Sequence, residues 1–330
     1  MDKVRVSIGS SIVIGLQKGH VDAKPTTAYL LTYRRGRCTA NCGFCSQAKS
    51  SGSRADMLSR VTWPVFEVER VSANLANSAR KGEIERVCIQ ALNYPGVLAD
   101  ILALIERIKS HGAQLPISVS CQPLTKGEMI KLHEAGVERI GIALDAATRE
   151  VFDHVKGSSA DGPYSWCDHR QALLQAVKIF GEGNVSTHLI VGLGEKEEDM
   201  IRTIQWCVDT SVHPALFSFT PIPGTILEHS HPPEIGQYRR IQLARHLVIR
   251  GRTRFERMVF DKEGHIIGFG VSEEELENYS RSGKPFLTSG CPSCNRPYYN
   301  EKPSGPLYNF PAKPTTFEVE TILKQLKREE

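Results

Sequence analysis

The run Ala28-Tyr29-Leu30-Leu31-Thr32-Tyr33 has β-type apolar character, and four residues after it comes Cys38-Thr39-Ala40-Asn41-Cys42-Gly43-Phe44-Cys45. A strand that empties into three closely spaced cysteines is the decisive arrangement of this chain. A cubane iron–sulfur cluster takes four ligands, so three thiolates from one short loop leave one iron open to a non-protein ligand. Zinc commonly uses paired C-x2-C groups, and no further Cys or His follows within the next dozen residues. Three thiols within eight positions cannot all pair as disulfides, and the opening MDKVRVSIGSSIVIG has too short an apolar run for a secretory signal. No stretch approaches the length of a membrane span.

Working outward, β-type runs recur at Ala28–Tyr33, Arg86–Gln90, Pro116–Ser120, Arg139–Ala143, Val185–Gly192 and Ala215–Phe219. Amphipathic stretches separate them, as in Val97-Leu98-Ile101-Leu102-Leu104-Ile105-Ile108, with apolar residues at three- and four-residue spacing. This βαβ rhythm predicts an α/β fold with a parallel sheet. No Gly-rich dinucleotide turn follows the first strand, so a partial (β/α)6 TIM-type barrel fits better than a doubly wound sheet. Barrel active sites sit at the C-terminal ends of strands, where the cysteine loop falls. The expected organisation is an N-terminal extension over 1–25 covering one end of the core, the barrel over 26–260, and a C-terminal segment over 261–330.

The chain has 330 residues, of which 40% are hydrophobic, enough for a substantial core. Nine cysteines without a signal segment point to metal or cluster ligation in a cytoplasmic protein. The net charge of +4 is small and carries no expectation of nucleic acid. Seven arginines lie between Arg239 and Arg257: Arg239, Arg240, Arg245, Arg250, Arg252, Arg254 and Arg257. They read as a solvated helix face followed by a polar strand edge. The sharper alternative is a docking surface for an acidic partner protein.

The remaining cysteines sort by the same logic. Cys88 lies within the second expected strand and Cys121 at the end of the third, so neighbouring parallel strands place both toward one barrel interior. The pair in Cys291-Pro292-Ser293-Cys294 has no second pair after it, and its partners must come from elsewhere in the fold. Cys88, Cys121, Cys291 and Cys294 together make the four thiolates of a second cubane. That arithmetic requires the segment after about residue 260 to fold back over the barrel mouth, its path stiffened by Pro292, Pro297, Pro303, Pro306 and Pro311. Cys167 and Cys207 read as structural.

The C-x3-C-x2-C loop with Phe44 before its last cysteine resembles the signature of the radical S-adenosylmethionine (SAM) superfamily. The resemblance implies a [4Fe–4S] cluster on Cys38, Cys42 and Cys45, with SAM on its open iron. Over roughly 30–260 the chain resembles biotin synthase and its relatives, through Arg86-Val87-Cys88, Val119-Ser120-Cys121 and Ile190-Val191-Gly192-Leu193-Gly194-Glu195. It departs from that family at Ser186, where a third auxiliary cysteine is expected. The ending Cys294-Asn295-Arg296-Pro297-Tyr298-Tyr299-Asn300-Glu301, with Gly305-Pro306-Leu307-Tyr308-Asn309-Phe310-Pro311, is similar to the biotin-synthase-related lipoyl synthases that act as two paralogous subunits. The chain lacks the N-terminal cysteine triplet and Arg-Ser-Ser-Tyr ending of the single-chain lipoyl synthases.

The likeness implies SAM contacts at Phe44, Gln90, Asn93, Asp145, Ile190 and Thr220, with Asp145 on the ribose hydroxyls. It implies two [4Fe–4S] clusters and sulfur insertion at C6 or C8 of an octanoyl chain, started by a 5′-deoxyadenosyl radical and supplied by the auxiliary cluster. Partners would be an octanoylated lipoyl carrier domain or H protein, a paralogous radical SAM subunit, and a ferredoxin- or flavodoxin-type electron donor. Competing readings are a radical isomerase or maturase of the same superfamily, and a non-catalytic iron–sulfur or zinc binding module.

Overall fold

A computed structural model describes residues 1–302 and 304–327. Pro303, one of the expected stiffening prolines, lies outside them. The chain opens with β1 (Lys3–Val6), α1 (Ile8–Val13) and β2 (Thr27–Thr32), and after the cysteine loop come a hairpin of β3 (Met57–Leu58) with β4 (Val61–Thr62), and β5 (Val65–Glu67). The repeating part runs α2 (Val68–Arg80), β6 (Arg86–Gln90), α3 (Val97–Ser110), β7 (Ile117–Cys121), α4 (Lys126–Glu134) and β8 (Val137–Ile142). It continues with α5 (Arg149–Lys156), α6 (Trp166–Phe180), β9 (Val185–Val191), α7 (Glu197–Asp209), β10 (Val212–Ser218) and α8 (Ile235–Ile249). A hairpin of β11 (Val259–Phe260) and β12 (Ile266–Gly268), then α9 (Glu273–Arg281) and α10 (Thr316–Leu326), complete the fold.

Strands β2, β6, β7, β8, β9 and β10 pair in parallel in that order, a partial TIM-type barrel left open between β10 and β2. Alternation decides which side chains go where. Val87, Ile89, Ile117, Val119, Ile140 and Ile142 face the helices and meet Ile101, Leu104 and Ile105 of α3 in the main core. The intervening residues face the barrel interior. Helix α4 begins on a capping box between Thr125 and Glu128, which satisfies orphan amide groups at its start.

Within residues 1–25, one strand joins the sheet, and Ile14 and Leu16 after α1 pack into the main core. Strand β1 pairs antiparallel with both β2 and β5 and widens the sheet, with Val4 and Val6 fully buried. Three side chains in that short strand suffice to join a sheet edge, a signal too brief to separate from a loop in the sequence.

The basic stretch is neither a solvated face nor a docking surface at its core. Arg239, Arg240 and Arg245 of α8 are 2%, 6% and 8% exposed. The C-terminal segment covers Arg239 along one side of α8, where Leu243 and Leu247 meet Phe286, Phe310 and Ile322, while Arg240 faces Glu197 of α7 and Arg245 faces Pro214 of β10. Arg240 makes hydrogen bonds to the Glu197 carboxylate at 3.0 and 2.5 Å, and that carboxylate also accepts the Ile266 amide at 2.7 Å. Arg239 donates to the Tyr308 carbonyl at 2.6 Å and to Gln242 Oε1 at 2.8 Å, tying α8 to the tail. Only the later arginines reach the surface, Arg252 beside Glu275 at 2.5 Å and Arg254 beside Asp209 at 3.0 Å.

Arg240→Ala would strand the buried Glu197 carboxylate and cost about 3–5 kcal/mol of stability. Arg252→Ala, at an exposed pair, would cost no more than about 1 kcal/mol. Denaturant unfolding of the two variants side by side checks the contrast.

Candidate functional site

The cysteine loop leaves the C-terminal end of β2 and is fastened to its neighbours by its own backbone. The amides of Cys38 and Thr39 donate to the carbonyls of Gln47 at 3.0 Å and Asn93 at 2.8 Å, and the Gly43 amide donates to the Val155 carbonyl at 2.7 Å. Asn41 ties its two ends together, accepting from the Ser50 amide at 3.1 Å and donating to the Ala160 carbonyl at 2.8 Å. Two sulfurs already receive amide donors, Cys38 from Asn93 at 3.2 Å and Cys45 from Gln47 at 3.4 Å. Such donors favour thiolates and tune a bound cluster. Burial pushes the Cys42 thiol well up and Cys45 up to about 12, so a bound cation is needed to hold these sulfurs as thiolates.

The spacing of the donors tests which metal fits. Thiolates around tetrahedral zinc lie roughly 3.8 Å apart, given Zn–S bonds of about 2.3 Å. Among the described residues no three cysteine sulfurs lie within 4.8 Å of one another. The described residues hold no ready-made zinc-like trio of thiols, and the loop offers a cubane three ligands while leaving one iron open.

Below the loop lies a cavity of about 230 Å³ inside the barrel. Phe44, Gln90, Asp145, Ile190 and Thr220 line it. Asn93 lies beside the loop, its amide donating to Cys38 Sγ and its carbonyl accepting from the Thr39 amide. Asp145 sits just past β8 with φ 66°, a left-handed conformation that aspartate tolerates better than most residues. Its amide donates to the His188 carbonyl at 2.8 Å, and its carbonyl accepts from the Ile190 amide at 2.7 Å. Its carboxylate is held by Lys156 Nζ at 2.7 Å, and Lys156, fully buried, also donates to the Ala143 carbonyl at 2.7 Å. Sequence reasoning missed Lys156, because a lysine in the last turn of an amphipathic helix ordinarily points to water. His188 also lines the cavity, and burial lowers it to about 4, so it is a neutral ring beside Phe217 with centroids 4.7 Å apart.

At the opposite end of the cavity the structure gathers Cys88, Cys291 and Cys294. Burial raises the Cys88 thiol well above its ordinary value, and the nearby Cys291 and Cys294 act in the same direction. Cys291 Sγ accepts from Ser118 Oγ at 3.6 Å, and Cys294 Sγ lies 3.4 Å from Tyr29 Oη. Cys121 does not join them. It pairs in register with Ile142, and both belong to the core beneath the helices, on the other face of the sheet from Cys88. Burial lifts its thiol to about 12, and the one charge acting on it is Glu128 of α4. Although Cys121 borders the cavity at the strand end, the expected common face for Cys88 and Cys121 is incorrect. Cys88 is in register with Ser118, and a step of three residues along a pleated strand reverses the side.

The path of the tail also differs from expectation. It does not close the mouth from above but enters at the N-terminal ends of the strands. There Thr27 Oγ1 donates to the Ser293 carbonyl at 3.0 Å, and Arg86 Nε donates to the Pro292 carbonyl at 3.3 Å. It then climbs the open seam to the mouth, where Thr220 Oγ1 donates to the Asn300 carbonyl at 2.9 Å. On the way it presents two residues that sequence reasoning passed over. The Arg296 guanidinium lies 3.7 Å from the centre of the Phe217 ring. Tyr299 is half-buried near both thiol sets: desolvation raises its phenol, with Cys45 and Cys88 both adding to the effect.

A barrel open at one seam, with a three-cysteine loop at the C-terminal end of its first parallel strand, defines a class. The family model of the radical SAM superfamily matches residues 34–207, and the chain belongs to that superfamily, whose members use a [4Fe–4S] cluster and SAM. It is related to the biotin synthases: it is 26% identical over 296 residues to biotin synthase of Prochlorococcus marinus strain MIT 9515, covering 87% of this chain and 82% of that protein. Biotin synthase of Acinetobacter calcoaceticus is 25% identical over 66% of this chain, which spans 63% of that protein's length. Among solved structures, methylornithine synthase superposes with a TM-score of 0.52 at 14% identity, covering 73% of this chain and 67% of its own. The FeFe-hydrogenase maturase from Carboxydothermus hydrogenoformans gives 0.52 at 17% identity, covering 74% and 56%. These two likenesses concern the fold alone. No described helix is long and apolar enough to cross a membrane.

Cys42→Ala is expected to lower the iron content of the anaerobically reconstituted chain by about four atoms and to abolish reductive cleavage of SAM. Cys167→Ala, at an exposed cysteine, leaves both unchanged. Iron analysis and chromatography of 5′-deoxyadenosine read the two outcomes.

Proposed function

We propose that this chain inserts sulfur into the octanoyl chain of a lipoyl carrier protein, as one subunit of a two-protein lipoyl synthase. The observation that carries the reading is a single cavity lined by both three-thiol sets and by the apolar side chains of Leu31, Ala143, Ile190, Ala215 and Phe217. An alkyl chain offers no acidity and no leaving group, so acid–base catalysis has no purchase on it. With both groups bound, the loop cluster and SAM supply a radical able to take hydrogen from such a carbon, and a [4Fe–4S] cluster on the lower cysteines supplies the sulfur.

The protein's own side chains then bind, orient and shield. Asp145, held by Lys156, accepts the ribose hydroxyls, while Phe44 and Ile190 contact the adenine and Gln90 the methionine amino group. Leu31 and Phe217 hold the alkyl chain and keep water from it, which protects a reactive carbon from side reactions. Tyr299 stays a neutral phenol at the level where the chain must pass from one thiol set to the other. Arg296 and Arg86, whose charges favour the ionised form of Cys88, offset the negative charge that thiolates bring to the floor.

The partners in this reading are the octanoylated carrier domain or H protein, a paralogous radical SAM subunit, and a ferredoxin- or flavodoxin-type donor. The buried arginines of α8 have no part in docking them. The reading is supported by the relation to biotin synthases, by the lower cysteine set, and by the ending similar to split lipoyl synthases.

Reconstitution with heavy-sulfur-labelled sulfide, followed by turnover on octanoylated H protein in unlabelled buffer, is expected to place the label in the product by mass spectrometry. Cys291→Ala should retain SAM cleavage and yield no sulfur-containing product. A labelled cluster that survives turnover with no label in the acyl chain would overturn the proposal.

Lys156→Met, which leaves the Asp145 carboxylate without its cation, is expected to weaken SAM binding roughly tenfold or more, the worth of a charge-assisted contact. Equilibrium dialysis with the cluster-loaded chain measures it.

A further inference from the structure

We infer that the hydroxyl of Tyr164 donates a hydrogen bond to a sulfur at the Cys42 corner of the loop cluster and thereby raises the potential at which that cluster takes up an electron. This role depends on the cluster common to the superfamily and not on the reading of the lower cysteines. Two of the three loop sulfurs receive an amide, Cys38 from Asn93 and Cys45 from Gln47, and no hydrogen-bond donor among the described residues reaches Cys42. The Tyr164 oxygen is the converse, a buried hydroxyl with no hydrogen-bond partner among the described residues. Such orphans are rare in folded chains. The segment that carries Tyr164 is laced to the cysteine loop: the Val155 carbonyl accepts the Gly43 amide at 2.7 Å, the Ala160 carbonyl accepts Asn41 Nδ2 at 2.8 Å, and Asp161 meets Lys49 Nζ at 2.7 Å. It then doubles back. The Gly162 amide donates to the Gly157 carbonyl at 2.8 Å, and a Cβ at Gly162 would stand 2.1 Å from the Lys156 carbonyl oxygen. This turn sets the Tyr164 ring against Lys156, whose Nζ lies 5.1 Å from its centre, and against the His169 ring at 5.1 Å.

These neighbours offer the hydroxyl no acceptor. Lys156 only donates, to the Ala143 carbonyl and the Asp145 carboxylate. Both ring nitrogens of His169 are taken, one by the Ser165 carbonyl and one by Gln122 Oε1. The Asn93 side chain acts on the phenol oxygen as a donor does, which leaves the hydroxyl proton unused. Of the charges that act on the phenol, Cys42 comes first, then Cys38, and Asp145 last. Iron-bound sulfurs are acceptors, and hydrogen bonds to them are among the factors that set a cluster's potential. A donor favours the more negative, reduced cluster, so Tyr164 raises the potential. The phenol keeps its proton throughout, since burial and the thiolates both oppose its ionisation. Lys156, the cation that acts most strongly on Cys42, works in the same direction.

The full-length chain is reconstituted anaerobically and titrated with a chemical reductant in the absence of SAM, followed by electron paramagnetic resonance. The loop cluster is identified as the signal that changes when SAM is then added. Tyr164→Phe is expected to bind the same iron and to lower the midpoint potential, the reduction equilibrium shifting roughly tenfold, about 59 mV for one electron. Tyr164→fluorotyrosine, a stronger donor of nearly the same shape, is expected to raise it. Before iron is added, Tyr164→Phe should melt no lower than wild type, because the hydroxyl it removes has no partner among the described residues. Equal potentials in wild type and Tyr164→Phe, or shifts of the same sign in both variants, would overturn the assignment. If Tyr164→Phe holds no iron at the loop, the fluorotyrosine chain decides alone: a raised potential supports the assignment and an unmoved one overturns it. A wild-type chain with no signal that responds to SAM would instead remove the loop cluster beneath it.

Discussion

Strand β10 does not pair with β2, and the gap between them is the constraint on which the rest of the structure depends. β2 is paired on both sides, with β6 and β1, while β10 presents its outer edge to the gap, and the segment from Ser289 to Asn300 runs between the two. The Leu216 amide of β10 donates to Ser289 Oγ at 2.7 Å, while on the other side the Thr26 amide donates to Asn295 Oδ1 at 3.1 Å. The Arg296 amide reaches Tyr29 Oη at 3.0 Å. The strip that satisfies these groups also carries Cys291, Cys294, Arg296 and Tyr299. Closing the wall and building the lower thiol set are therefore one event, and the cavity has no floor without the tail.

Charge inside the barrel follows the same economy. Thiolates in a dry interior are costly unless cations lie near, and the floor has Arg86 and Arg296 within reach of Cys88. Arg245 is buried without a carboxylate partner, donating to the Pro214 carbonyl at 2.6 Å and lying 3.0 Å from His213 Nε2. Burial lowers it to about 10, which leaves it charged at neutral pH. His213, brought down to about 3 by burial and by that arginine, serves it as a neutral partner. At the mouth the buried Lys156 plays the matching part for Asp145. Cations therefore stand beside both cysteine sets of the cavity, Lys156 near the loop and Arg86 and Arg296 near Cys88.

Much of this was legible in the chain itself. The strand at Arg86–Gln90 is found where its apolar run placed it, and the others are displaced by no more than three residues, because the period of a half-buried strand is written in consecutive residues. The cysteine loop was legible for a similar reason: its three sulfurs are neighbours in sequence. Cys121 misled because proximity along a strand says nothing of side until the register is known, and one register position separates the barrel interior from the helix layer. The arginines of α8 misled because their partners are distant in sequence, Tyr308 for Arg239, Glu197 for Arg240 and Pro214 for Arg245, each more than thirty positions away. Lys156 carried no signal at all, since its partner Asp145 lies on a different element and only the turn after β8 aims the two at each other.

What the sequence determined alone was the alternation of elements, the three-sulfur loop at the end of the first parallel strand, and hence the superfamily and its chemistry. These depend on contacts between residues close in the chain, which composition and spacing record. The tertiary structure alone decided which sulfurs share a face, where the tail enters, and which charges are buried. Those facts depend on strand register and on the closing of a seam by a segment more than two hundred and fifty residues from its partners on β2, and no local pattern encodes them.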